Sequence, residues 1–147
     1  MTGSKELEKL GVLFGMVTDR SRSFLERCSE TRVCAAFDPI RATNEYRDIA
    51  LSTIDSDLEA LREVQSLSGP LGEVRAALGS GPNDERYILA LSSLRETFLK
   101  DVLRPAVRDF LKGAAGPDDR LESLYLSQLK IDSLLETARF LRRIQKK

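Results

Sequence analysis

Apolar residues recur every three or four positions along most of this chain, which is the period of an α-helix. Over residues 4–28, one side of such a helix collects an apolar set made of Leu7, Leu10, Leu13, Phe14, Val17, Phe24, Leu25 and Cys28. Charged residues fall mostly on the other side, as in an amphipathic helix. No segment alternates strictly between apolar and polar residues, and clusters of β-branched or aromatic residues are sparse. The sequence therefore predicts an all-α fold.

Chain breakers divide the 147 residues into four long helical segments, with interruptions near residues 29–38, 68–70, 79–83 and 113–117. Asp38 and Pro39 suit the N-cap and first turn of a second helix that should run to about Leu67. Residues 71–78 should form only one or two helical turns. Pro105 should kink or break the third long helix, because proline has no N–H to donate. We expect a single domain over residues 1–147, a bundle of four main helices with one or two short extra helices and a kink near Pro105.

The chain contains no histidine, and this excludes several kinds of catalytic and metal site. Ser-His-Asp triads, Cys-His pairs and zinc sites of the HExxH type all need an imidazole. Cys28 and Cys34 are spaced neither as a CxxC redox pair nor as a zinc knuckle. The glycine-rich stretch at residues 79–82 lacks the Lys-Ser or Lys-Thr of a phosphate-binding loop. We expect a protein that is not an enzyme and holds no cofactor or metal; the alternative is an enzyme that uses Asp, Glu and Arg alone.

Apolar residues outnumber what one buried stripe per helix would use in a four-helix bundle, and surplus apolar surface is typical of a binding face. The candidate partner-binding residues are Leu126, Leu134, Leu141 and Ile144 on the last helix, and Val12 and Met16 on the first. We expect a non-catalytic interaction module, a helical adaptor or assembly subunit, which binds another protein or a second copy of itself by helix–helix packing. Two alternatives stay open. In the first, short segments at 71–78 and 106–111 cover these faces within the chain. In the second, the bundle binds a lipid or another apolar small molecule.

The strongest charge cluster is basic and consists of Arg139, Arg142, Arg143, Lys146 and Lys147. These residues suit contact with an acidic partner, or they simply complement the negative end of the last helix dipole. Over the whole chain, 23 Lys and Arg balance 23 Asp and Glu, which argues against general nucleic-acid binding. No run approaches the roughly 20 apolar residues of a membrane span. We expect an intracellular protein, cytoplasmic or nuclear.

Overall fold

A computed structural model describes residues 4–113 and 118–145. Within these ranges the chain is helical and contains no β-strand, so the predicted all-α class is confirmed. The six α-helices are α1 (Ser4–Ala35), α2 (Pro39–Ser52), α3 (Gln65–Ser80), α4 (Glu85–Phe98), α5 (Arg104–Leu111) and α6 (Asp118–Gln145).

The second predicted helix ends earlier than the sequence suggested. After α2, a π-helical turn spans Thr53–Asp57 and a 3-10 turn spans Glu59–Glu63. α3 then passes through Pro70, where we expected a break. Proline removes one intrahelical hydrogen bond, and here the helix tolerates that loss. The expectation of one or two turns at residues 71–78 is therefore wrong, since they belong to a 16-residue helix.

The aspartate predicted to cap α2 does so, a second aspartate caps α4, and the helix is irregular near Pro105. The Asp38 and Asp84 carboxylates cap α2 and α4, each accepting a hydrogen bond from a backbone N–H of the first helical turn. A π-helical turn at Leu99–Leu103 lies immediately before Pro105, and the α-helix resumes at Arg104. The proline thus stands in the first turn of α5, where a missing N–H costs little.

α6 lies at the centre of the packing, because α1, α2 and α4 all contact it. Arg20 Nη1 lies 3.0 Å from Glu122 Oε1, and Arg32 Nη1 donates to Thr137 Oγ1 at 3.0 Å. Residue numbers therefore rise together along α1 and α6, and these two helices run parallel.

α2 runs in the opposite direction along α6. Gln145 Nε2 donates to Thr43 Oγ1 at 3.0 Å, and Lys130 Nζ donates to Asp57 Oδ2 at 2.8 Å just beyond the end of α2. α3 packs against α4. The buried apolar side chains of all these elements join into one core.

Two of the four α6 residues that we expected to bind a partner lie in this core instead. Leu134 and Leu141 are 0% and 1% exposed. Leu126 and Ile144 are half-buried, and Ile144 packs against the core. The expectation that Leu134 and Leu141 bind a partner is corrected, because α1, α2 and α4 pack around α6 and bury both side chains within the chain. For Leu126 and Ile144 partner binding stays a prediction. No helix within the described ranges is long and apolar enough to cross a lipid bilayer.

Candidate functional site

Two predicted partner-binding residues, Val12 and Met16, lie exposed on α1. Their side chains are 66% and 47% exposed, and they stand four residues apart on one side of the helix. Residues 10–18 around them contain no charged side chain. Gly11 and Gly15 lie beside them, and apart from adjacent residues and the backbone of α1 itself, no described atom is within 4 Å of where a Cβ would stand at either glycine. We call Val12, Met16 and these two glycines the α1 face.

Phe14 lies on a different side of the same stretch, where it is 46% exposed but contacts α6. Its ring meets the ring of Tyr125 on α6 edge to face, with centroids 4.8 Å apart. This contact fixes the rotation of α1 against α6, because Leu10, Leu13 and Val17 are buried on the same side. The α1 face is consequently turned away from the chain's own core.

A second exposed apolar group, which our reading of the sequence missed, lies at the turn between α1 and α2. Phe37 is 85% exposed and Ile40 is 78% exposed, and Val33 lies nearby in the chain. The signal was present on both sides of the Asp38 cap, since Phe37 and Ile40 flank it outside any apolar stripe. A residue before an N-cap often packs onto the following helical turn, and Phe37 does not.

A cleft of about 640 Å³ lies between α4 and α6. It is lined by Ser92, Arg95, Glu96, Asp132, Leu135, Glu136, Arg139, Arg142 and Arg143. We call it the arginine cleft. It brings together three of the residues predicted to contact an acidic partner, whereas Lys146 and Lys147 lie outside the described residues.

Carboxylates offset much of the positive charge in the arginine cleft. Arg95 is hydrogen-bonded to Asp132, and Arg142 Nη2 lies 3.6 Å from Glu85 Oε2 at the cleft's edge. Arg139 donates to a serine hydroxyl rather than to a carboxylate. Four arginines thus face three lining carboxylates and Glu85 at the edge, so the positive and negative charges around the cleft balance. Contact with an acidic partner stays a prediction.

Two fully buried tyrosines form a hydrogen-bonded pair between helices. The Tyr46 and Tyr87 hydroxyl oxygens are 2.7 Å apart, and Tyr46 Oη is 2.8 Å from the carbonyl oxygen of Leu134. A carbonyl only accepts, so Tyr46 donates to Leu134 and Tyr87 donates to Tyr46. Both tyrosines are 0% exposed, so this pair joins α2, α4 and α6 and faces no cleft.

Comparison with known proteins gives no relative from which a function could be inferred. No protein-family model matches the chain, and no curated protein or solved structure shows significant similarity to it. Among the described residues, no group of three or more Cys, Asp or Glu side chains is placed to hold a metal ion. The α1 face and the arginine cleft are the surfaces on which the sequence predictions and the described geometry meet.

Proposed function

We propose that this chain is a non-catalytic protein-interaction module that binds a partner helix along the α1 face. The observation that carries this proposal is the exposure of Val12 and Met16 within a nine-residue stretch that has no charge. Apolar side chains grouped on the outer side of an otherwise amphipathic helix favour contact with another molecule.

Helix-on-helix packing suits the shape of this face. Val12 and Met16 form a short ridge of the i, i+4 kind that fits into the groove of a neighbouring helix. Gly11 and Gly15 have no side chains, so a partner helix can approach towards the short end of the usual 8–10 Å between axes. Fully burying a Val or Met side chain contributes roughly 1.5–3 kcal/mol, so these two residues supply part of a binding energy rather than all of it.

The surroundings of the α1 face support a protein partner over the alternatives. We interpret the fold as a bundle around α6, in which α1 is held rigidly and presents the face without rearrangement. The arginine cleft is a poor site for a lipid or another apolar small molecule, because it is lined mainly by charged side chains. We place the protein in the cytoplasm or nucleus, because its two cysteines, Cys28 and Cys34, do not supply the disulfide framework that is typical of small secreted proteins.

Photocrosslinking in the native cell tests the proposal. With a photoreactive amino acid in place of Met16, we expect a protein adduct several times more abundant than with the same group at Leu89, an exposed apolar residue of α4. Val12→Glu in the Met16-labelled chain should remove the adduct without unfolding the protein, since Val12 is exposed. Equal labelling at both positions, or an adduct that survives Val12→Glu, would contradict the proposal.

A further inference from the structure

One row of exposed α1 residues carries opposite charges at equal distances on either side of its centre. Its members are separated by four, three, four, three and four residues, so they lie along one side of the helix. All six are exposed: Lys5, Lys9, Val12, Met16, Asp19 and Ser23. The row spans 19 residues, which is about 28 Å of helix. We call it the α1 row.

The α1 row is a palindrome about position 14. Each member has a counterpart for which the two residue numbers add up to 28, so Lys9 corresponds to Asp19 and Val12 to Met16. When two identical helices cross antiparallel at position 14, each residue meets its counterpart on the other copy. Valine then meets methionine on both sides of the centre, Lys9 meets Asp19 beyond them, and Lys5 meets Ser23 at the two ends.

We propose that the partner helix is α1 of a second copy of this chain, packed antiparallel about a two-fold axis at position 14. This inference rests on the proposed function, because it uses the same exposed face. Lys9 of each copy pairs with Asp19 of the other, and Val12 of each copy packs against Met16 of the other. The interface is isologous and closes after two copies.

Charge decides the direction of the pairing. A parallel arrangement in register would place Lys9 against Lys9 and Asp19 against Asp19, and both contacts repel. In the antiparallel arrangement both contacts attract. Asp19 already accepts a hydrogen bond from Arg22 of its own helix at 3.1 Å. Both side chains are exposed, and a carboxylate has lone pairs for a second cation.

The size of the contact sets the expected affinity. Stable interfaces bury about 800 Å² per partner, and one helix pair centred on Val12 and Met16 lies at the low end of this scale. The bare backbone at Gly11 and Gly15 lets the two helices approach closely beside the row. A reversible dimer whose population rises with concentration is the expected state.

Sedimentation equilibrium at low ionic strength, over protein concentrations on the order of 10 µM to 1 mM, tests this pairing. Lys9→Glu and Asp19→Lys should each weaken dimerisation by about tenfold, because each change turns two attractive contacts into repulsive ones. The double variant Lys9→Glu/Asp19→Lys should restore the dimer. Lys100→Glu, an exposed charge reversal on another element, serves as the matched control and should leave dimerisation unchanged.

The outcomes separate this inference from the function on which it rests. A chain that stays monomeric throughout, or single variants that are not rescued by the double variant, would overturn the self-pairing. If the protein crosslinked at position 16 is then not a second copy of this chain, the proposed interaction function stands and only the identity of the partner is wrong. If no adduct forms at position 16, both fail.

Discussion

At the scale of single residues, the buried tyrosine pair links the stability of this fold to pH. Burial raises the pKa of Tyr46 well above its usual value, and the adjacent Tyr87 raises it further. Burial also raises the pKa of Tyr87. The unfolded chain releases these protons near pH 10, whereas the folded chain retains them. Above pH 10 the unfolded state therefore binds fewer protons than the folded state. The contribution of the two tyrosines to stability is complete below pH 10 and falls as the pH rises above it.

We predict a loss of up to about 1.4 kcal/mol of unfolding free energy per pH unit and per tyrosine above pH 10. Urea denaturation at several pH values between neutrality and strong alkali measures this slope. Tyr87→Phe is the matched comparison, because it keeps the hydrogen bond from Tyr46 to Leu134 and removes one titrating group. The same alkaline slope in both proteins would show that Tyr87 does not contribute. Tyr125, whose pKa burial also raises, is present in both and cancels.

At the scale of helices, α3 shows how tertiary packing overrides a local breaker. Gly69 and Pro70 together predict a chain break, yet both lie inside a 16-residue helix. Leu67, Leu71 and Val74 of this helix are buried at helical spacing. Their burial contributes more than the roughly 3 kcal/mol that a proline costs inside a helix, so the helix continues.

Pro70→Ala is therefore expected to stabilise the protein. Alanine restores one intrahelical hydrogen bond and removes the clash of the proline ring, together worth up to about 3 kcal/mol. It also increases the conformational entropy of the unfolded chain, which costs about 1 kcal/mol of stability. The net expectation is an increase of about 1–2 kcal/mol in the free energy of unfolding, measured by chemical denaturation. Gly69→Ala is the comparison, since it raises helix propensity by about 1 kcal/mol without restoring a hydrogen bond. A destabilised Pro70→Ala protein would mean that packing of the proline ring matters more than the hydrogen bond.

At the scale of the whole molecule, the position of α6 decides which apolar residues are available to a partner. α1, α2 and α4 surround α6, so its apolar residues on several sides are covered within one chain. For a bundle of four main helices, we inferred a surplus of apolar residues. The packing around α6, together with α3 as a further full helix, buries most of that surplus. Apart from the side chains of Leu7, Phe14 and Leu89, the large apolar residues left exposed in the described ranges lie on the α1 face and at the turn between α1 and α2.

Substitutions in the core side of α6 should therefore lower the free energy of unfolding much more than substitutions on the α1 face. Leu134→Ala should lower the free energy of unfolding by about 2–5 kcal/mol, because it opens a cavity in the core. Val12→Ala should change it by no more than about 0.5 kcal/mol, because the side chain is exposed. Thermal and urea denaturation of the two variants check this difference. A stable Leu134→Ala protein would indicate that α6 is not packed as described.

The sequence by itself determined the class of fold, the cap of α2, the irregularity at Pro105 and the outward position of Val12 and Met16. These follow from helical period and local hydrogen-bond chemistry, which depend on residues a few positions apart. Only the tertiary structure decided that Leu134 and Leu141 are core residues, that the second helix breaks at residues 53–64, and that Phe37 stays exposed. Helical period shows which sides of a helix are apolar, but the helices that cover those sides come from distant parts of the chain.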